Sequence, residues 1–343
     1  MGTIIRGIIR SMLKYFLVLF FVGWRAMPEH QPKKLFRING RAQGTTYSIS
    51  YLNTDSIVEK AEVDSIFHAI DLSLSLYEPA SLINRFNREG MVKMDQHMMA
   101  VVKTSSDIEK SSYGCFDITV KNLVDLWGFG VKGGQHLPSG ADISKALLLT
   151  GSRYLIFRND TLIAGRKNVQ IDCNGIAQGY SVDCIFHYLE EKGIQDMIVE
   201  IGGEVRARGR NAKGEIWRVG IESPSGIAEN WYPVADVIGL DGSAVTTSGD
   251  YRKYFIHQGK KYSHVIDPRK GRPVDNGIIS VTVMAPDATT ADGWDNGFFV
   301  MGVDSAFTLL KKMPSLELRI IYQDKSGNFR DTASEGFRKM MLR

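Results

Sequence analysis

Between residues 36 and 51 apolar and polar positions alternate around Gly44-Thr45-Thr46-Tyr47, which predicts a strand, a glycine break and a second strand. The period then changes. Ile57, Val58, Ala61, Val63, Ile66, Phe67 and Ile70 recur at helical spacing, so residues 57–76 read as one helix, stopped at Pro79. Ser81 caps a short helix reaching Asn87, and residues 98–111 form another. Residues 131–140 are glycine-rich and polar and read as a loop. A short helix over 142–149 follows, then a hairpin over 154–163 across Asn159-Asp160. Residues 169–172 read as a strand that enters Asn174-Gly175-Ile176-Ala177-Gln178-Gly179-Tyr180, and 180–192 as an apolar-faced helix. Beyond that the pattern is strand-rich, at 198–201, 205–209, 217–222, 234–240, 244–248, 254–257, 278–284 and 316–322. Helices fall near 291–301 and 304–312. The fold class is α+β, organised as two sheet-and-helix halves.

The chain has 343 residues, 43% of them hydrophobic, and 34 glycines, enough to bury a large core and make many tight turns. A formal charge of +4 with no long basic stripe argues against a nucleic-acid surface. Cys115, Cys173 and Cys184 are too scattered for a zinc spacing or a disulfide framework. Arg6, Arg10 and Lys14 precede an apolar run over residues 15–24, the layout of an export signal. That run is shorter than the roughly 20 residues a membrane-spanning helix needs. Residues 1–24 are therefore expected to be a cleaved signal or a signal-anchor, 25–34 a linker with Pro28 and Pro32, and 35–343 the working domain.

The chemistry concentrates between residues 264 and 302. Asp292 and Asn296 are four apart, hence on one face of a helix, and Asp295 lies between them. Three such oxygen-bearing residues suit a hard cation such as Mg2+. The competing reading makes Thr289-x-x-Asp292 a capping box that starts the helix. Residues 172–179 pass through Gly175 into a helix whose N-terminal amides favour an anion, without the glycine order of a dinucleotide fold or a P-loop. Gly202-Gly203 and Thr246-Thr247-Ser248-Gly249-Asp250-Tyr251 offer close backbone approach and hydroxyls, or are ordinary turns. His264 is a candidate general base or a structural histidine. Asp267-Pro268 is a candidate turn, and Arg269 a phosphate partner or half of an ion pair. Tyr77, Trp127 and Phe129 are able to stack on a flat ring or to fill the core. No Gly-x-Ser-x-Gly and no His-Glu-x-x-His occurs, which disfavours acyl transfer and zinc hydrolysis. The combination points to metal-assisted work on a nucleotide-type phosphate ester.

An ordered set of motifs from about residue 40 to 302 resembles the ApbE-type flavin transferases (FAD:protein FMN transferases). It comprises Gly44-Thr45, Ser75-Leu76-Tyr77 with Ser81 and Asn87, Phe116-Asp117-Ile118-Thr119, and Leu126-Trp127-Gly128-Phe129-Gly130. Asp172 with Gly175-Ile176-Ala177 and Gly179-Tyr180, Gly202-Gly203-Glu204 and Thr247-Ser248-Gly249-Asp250-Tyr251 continue it. His264-Val265-Ile266-Asp267-Pro268 with Gly271, and Ala291-Asp292, complete it. The resemblance implies an exported, periplasmic, Mg2+-dependent enzyme, with inner-membrane association through the N-terminal segment. Such an enzyme takes FAD as substrate, moves the FMN half to a threonine hydroxyl of an acceptor flavoprotein, and releases AMP. It further implies a metal held by the Gly175 carbonyl, Asp292, the Asp295 carbonyl and Asn296. FAD would be contacted by Gln43, Tyr77, Cys115, Phe116, Asp117, Asp172, Gln178 and Ile266, and His264 would activate the acceptor hydroxyl. Gln43 stands where the family usually has methionine, and Asn296 where it usually has threonine. The alternatives are an FAD pyrophosphatase giving FMN and AMP, and a non-catalytic exported flavin-binding protein.

Overall fold

The alternation across residues 36–51 becomes two antiparallel strands, β1 (Lys34–Ala42) and β2 (Thr45–Asn53). The structure is a computed structural model that describes residues 32–131, 133–134, 137–222, 234–250 and 253–342. The expected export segment, residues 25–31 of the expected linker, and Tyr251 lie outside the described residues. Lys34, placed in the linker from sequence, already belongs to β1. Gln43 and Gly44 join the strands with φ of 52° and 76°. Two left-handed residues in a row make a turn whose twist matches that of the strands.

From β2 the chain builds one eight-stranded sheet. β3 (Met197–Ile201), β4 (Glu204–Arg208), β5 (Ser243–Gly249), β6 (Ile278–Ala285), β7 (Glu317–Gln323) and β8 (Phe329–Ala333) follow in sequential order. Every neighbouring pair is antiparallel. A long insertion between β2 and β3 contributes α1 (Lys60–Leu74), α2 (Gln96–Ser111) and α3 (Ala177–Glu191), and α4 (Ala288–Met301) follows β6. These helices cover one face of the sheet. Tyr47, Ile49, Val199 and Ile201 pack there against Val63 and Phe67 of α1 and Val182, Ile185 and Phe186 of α3. Each phenylalanine buried in this way stabilises the fold by about 1.5–3 kcal/mol.

The opposite face is also closed. Val205, Ala207, Val245 and Met284 meet Trp217, Ile221, Ile238, Leu240 and Phe337, carried by a three-stranded sheet and the helix Glu335–Met340. Burial on both sides explains why β6, Ile278-Ile-Ser-Val-Thr-Val-Met-Ala285, reads as almost continuously apolar and does not alternate cleanly. The predicted α+β class is what is observed, with the insertion and the C-terminal part of the sheet as its two sheet-and-helix parts.

Residues 169–172 differ from expectation. They are extended yet belong to no strand, because the Asn87 side chain takes the place of a partner strand. Its Oδ1 accepts from the Ile171 amide at 2.7 Å and its Nδ2 donates to the Ile171 carbonyl at 2.9 Å. The Asp172 amide then donates to the Ile118 carbonyl at 2.7 Å. Among the described residues no helix is long and apolar enough to cross a membrane.

Candidate active site

The site begins where α3 and α4 cross. Gly179 allows the crossing: a Cβ there would stand 2.2 Å from the Ala288 carbonyl oxygen and 2.7 Å from the Asp292 Cβ. Helix α4 starts at Ala288 and is capped by Asp287, whose carboxylate accepts from the Thr290 amide at 2.7 Å. Such a cap is worth about 1 kcal/mol. The capping-box reading of Thr289 and Asp292 is thus corrected: Asp287 does that work. Asp292 instead reaches across to α3 and accepts from the Gly179 amide at 2.8 Å. The Ile176 side chain cannot cap α3, so a carboxylate from another helix satisfies one of its first-turn donors.

Asp292 and Asp295 are both buried, and burial pushes both carboxyls up. Asp292 rises to about 7, with the nearby Asp183 charge adding and the Gly179 amide opposing. Asp295 rises well above its ordinary range, through burial first and the Asp292 charge second. No Lys or Arg forms an ion pair with either among the described residues. Asn296 Oδ1 accepts from Ser248 Oγ at 3.1 Å. Its Nδ2 is ringed by the Gly175 carbonyl at 3.3 Å, the Asp292 carbonyl at 3.1 Å and the Asp295 Oδ1 at 3.0 Å.

Oxygens from the turn before α3 and from α4 thus converge on one positively polarised group, beside two carboxylates that lack an ion-pair partner among the described residues. That donor set fits a hard divalent cation. It is not a cage of ionisable side chains, since no group of three or more His, Cys, Asp or Glu forms one among the described residues. The Asp295 carboxylate accepts from Asn296 Nδ2, and Asp295 itself is not among the residues that line the cleft.

A cleft of about 450 Å³ opens beside this cluster. Gly175, Asp292, Asn296, Gln43, Tyr77, Cys115, Phe116, Asp117, Asp172, Gln178, Ile266 and His264 all line it, although they come from segments far apart in sequence. Tyr77 is 66% exposed, an accessible ring at the wall. Asp172 is buried, which pushes its carboxyl up, and one of its oxygens accepts from the Asn174 amide at 2.9 Å. Asp117 is engaged by the protein itself: Oδ1 accepts from the Thr119 amide and hydroxyl at 2.8 and 2.6 Å, and Oδ2 from the Ser152 amide at 3.1 Å. Gln178 donates to the Ile201 carbonyl at 2.8 Å and to Glu204. Its amide fills the space a Cβ at Gly202 would need, so that left-handed glycine is obligatory for two reasons. Cys115 is buried, and burial pushes its thiol up, away from nucleophilic use.

His264 follows the hairpin of Tyr254–His257 and Lys260–Ser263. Its main-chain amide and its Nδ1 both contact the Lys253 carbonyl oxygen, at 3.2 and 2.9 Å. A carbonyl only accepts, so Nδ1 carries a proton and donates in that contact. Phe129 packs edge-on at 6.4 Å between ring centroids. Asp267 binds Arg269 bidentately, both contacts at 2.9 Å, which settles Arg269 as an ion-pair partner. Trp127 is core: it is 3% exposed and donates from Nε1 to the Gly271 carbonyl at 2.9 Å. The cleft also gathers Thr45, Asn174, Glu204, Lys253 and Thr247. Of these, only Lys253 lies outside the glycine-bearing stretches of the sequence.

The sequence model of the ApbE family matches residues 43–320. The FAD:protein FMN transferase of Vibrio cholerae is 33% identical over 319 residues, covering 91% of this chain and 94% of that protein. That of Escherichia coli K12 is 34% identical over 310 residues, 86% of this chain and 87% of that one. Among solved structures, the flavin transferase ApbE from Vibrio cholerae superposes with a TM-score of 0.82 at 31% identity, over 90% of this chain and all of that one. The apo Pseudomonas stutzeri flavinyl transferase ApbE gives 0.81 at 33%, over 91% and 98%.

Proposed function

The chain belongs to the ApbE family and is a flavin transferase, and we propose that it moves the FMN moiety of FAD to a threonine hydroxyl of an acceptor flavoprotein, with Mg2+, releasing AMP. One observation carries the reading. The Gly175 and Asp292 carbonyls and the Asp295 carboxylate converge on Asn296, on the wall of a cleft that also holds His264.

Gly175, Asp292, Asp295 and Asn296 would hold the ion. When bound, it supplies neutralisation of the diphosphate charge and orientation of the phosphorus for in-line attack. Tyr77 offers an exposed ring on which a flat ligand can stack. His264 Nε2 takes the proton of the attacking hydroxyl. That oxygen forms the new bond to the FMN-side phosphorus, while the bond to the bridging oxygen breaks and its electron pair leaves with AMP. General-base help of this kind is worth about 10²–10⁴-fold. The basic residues and apolar run before residue 25 support export to the periplasm and inner-membrane association.

The test is incubation with FAD, Mg2+ and a candidate acceptor protein. Covalent flavin on an acceptor threonine, with one AMP per flavin attached, is expected. Free FMN with unlabelled acceptor would make the protein a pyrophosphatase, and unchanged FAD a binding protein.

A further inference from the structure

Asp183 lies in α3, is buried, and touches none of the cleft residues' reacting atoms, yet it gathers more donors than any carboxylate of the site. It accepts from the Ala288 amide at 3.0 Å, the Thr289 amide at 2.8 Å, the Thr289 hydroxyl, and Arg206 Nη1 of β4 at 2.7 Å. Arg206 in turn lies over the Phe186 ring at 4.2 Å, so the ion pair is itself anchored to α3. The first turn of α4 is therefore held by a carboxylate from α3. Asp292 of α4 does the converse, accepting from the Gly179 amide in the first turn of α3. Each helix caps the other.

This reciprocity has a geometric result. Gly175, at the entry to α3, and Asp292, Asp295 and Asn296, on α4, have to stay in register for the Gly175, Asp292 and Asp295 oxygens to meet the Asn296 amide. The crossing at Gly179 fixes how closely the helices approach, but a single contact leaves α4 free to slide or roll about it. The Asp183 clasp is a second point of attachment, at the other end of the crossing from Asn296, and two points remove that freedom. Asp183 also differs from Asp292 in having a cation, Arg206, beside it. It serves the clasp with its own counter-charge and leaves the site's carboxylates unneutralised for an incoming ion.

We propose that Asp183 is a positioning residue for the cation site, holding α4 against α3 so that the Asp292 and Asp295 oxygens and the Asn296 side-chain amide remain gathered at the Gly175 carbonyl. This rests on the cation reading given above.

The test measures Mn2+ binding by electron paramagnetic resonance on the full chain without FAD, well below the Tm of every variant. Asp183→Asn should bind Mn2+ roughly 10–100-fold more weakly, the usual effect of losing a group that orients a ligand. Flavin transfer should recover toward the wild-type kcat when metal is raised to saturation. Thr289→Ser, which keeps the hydroxyl, should match wild type, and Thr289→Val should fall between. Asp331→Asn, which removes from β8 one of the two carboxylates paired with the distant Arg319 of β7, should lower Tm and leave Mn2+ affinity unchanged. The proposal is overturned if Asp183→Asn lowers Tm as Asp331→Asn does while binding Mn2+ like wild type. Should Asp183→Asn not fold, unchanged Mn2+ affinity in Thr289→Val overturns it. Wild-type protein that binds no Mn2+ would instead remove the cation reading itself.

Discussion

Replacing Gly179 with alanine adds one methyl group at the crossing of α3 and α4. The new Cβ would stand 2.2 Å from the Ala288 oxygen, where a comfortable contact is about 3.5 Å, so the helices have to part by about 1.3 Å. The neighbours cannot simply swing aside, since they are the Ala288 carbonyl group and the Asp292 Cβ. Parting by that amount stretches the 2.8 Å Gly179–Asp292 bond beyond hydrogen-bonding range. Overpacking costs about 1–3 kcal/mol, and a lost bond to a charged acceptor about 1.5–3 kcal/mol. Alanine returns about 1 kcal/mol through its higher helix propensity. The balance is a destabilisation of about 1.5–5 kcal/mol, or a Tm lower by roughly 2–7 °C for a chain of this size. Differential scanning calorimetry with and without Mg2+ measures it, and the Mg2+-induced rise in Tm should shrink as well, because the ligand oxygens are spread apart. A Gly179→Ala variant as stable as wild type, with an undiminished response to Mg2+, would refute both the close crossing and its link to the ion.

Other substitutions separate roles that the geometry superimposes. Asp292→Asn keeps an acceptor for the Gly179 amide and removes the charge, so the fold should persist while metal-dependent flavin transfer is lost; full turnover would detach Asp292 from the metal. His264→Ala should slow transfer by about 10²–10⁴-fold, with FAD affinity by fluorescence titration little changed; a matching loss of binding would mark a structural histidine. Because the folded Asp292 carboxyl is raised to about 7, its contribution to metal-free stability is complete below its ordinary range near 3.8 and is lost as pH rises through 7. Mg2+ favours the ionised form, so its stabilisation in thermal melts should be larger near pH 8 than near pH 6; equal stabilisation would contradict the assignment.

Much of the fold could be read from period alone. The β1–β2 hairpin and the helical faces of α1 and α3 follow local repeats in apolar residues, whereas β6 is almost continuously apolar and β8 carries no such repeat. What escaped reading depended on partners far away in sequence. Residues 169–172 have strand character, but only Asn87, more than eighty positions earlier, decides that an amide side chain replaces the ladder. Thr289 and Asp287 are both plausible caps at one helix start; the choice follows from Asp183, about a hundred residues upstream, which engages Thr289 and leaves Asp287 to cap. Asp183 itself carried no local signal, because its role exists only once α3 and α4 cross. Within the site, Asp292 and Asn296 at helical spacing were legible as a pair. That the Asp295 carboxylate reaches Asn296 depends on how α4 is rotated against the sheet.

The Lys253 carbonyl, which meets both the main-chain amide and the ring of His264, makes the hold on the imidazole a property of the peptide backbone. Any amino acid at position 253 presents the same oxygen, so drift in that side chain leaves this contact untouched. A distortion of the hairpin stem would change it. A small molecule that pries the two strands apart there would loosen the ring without contacting it.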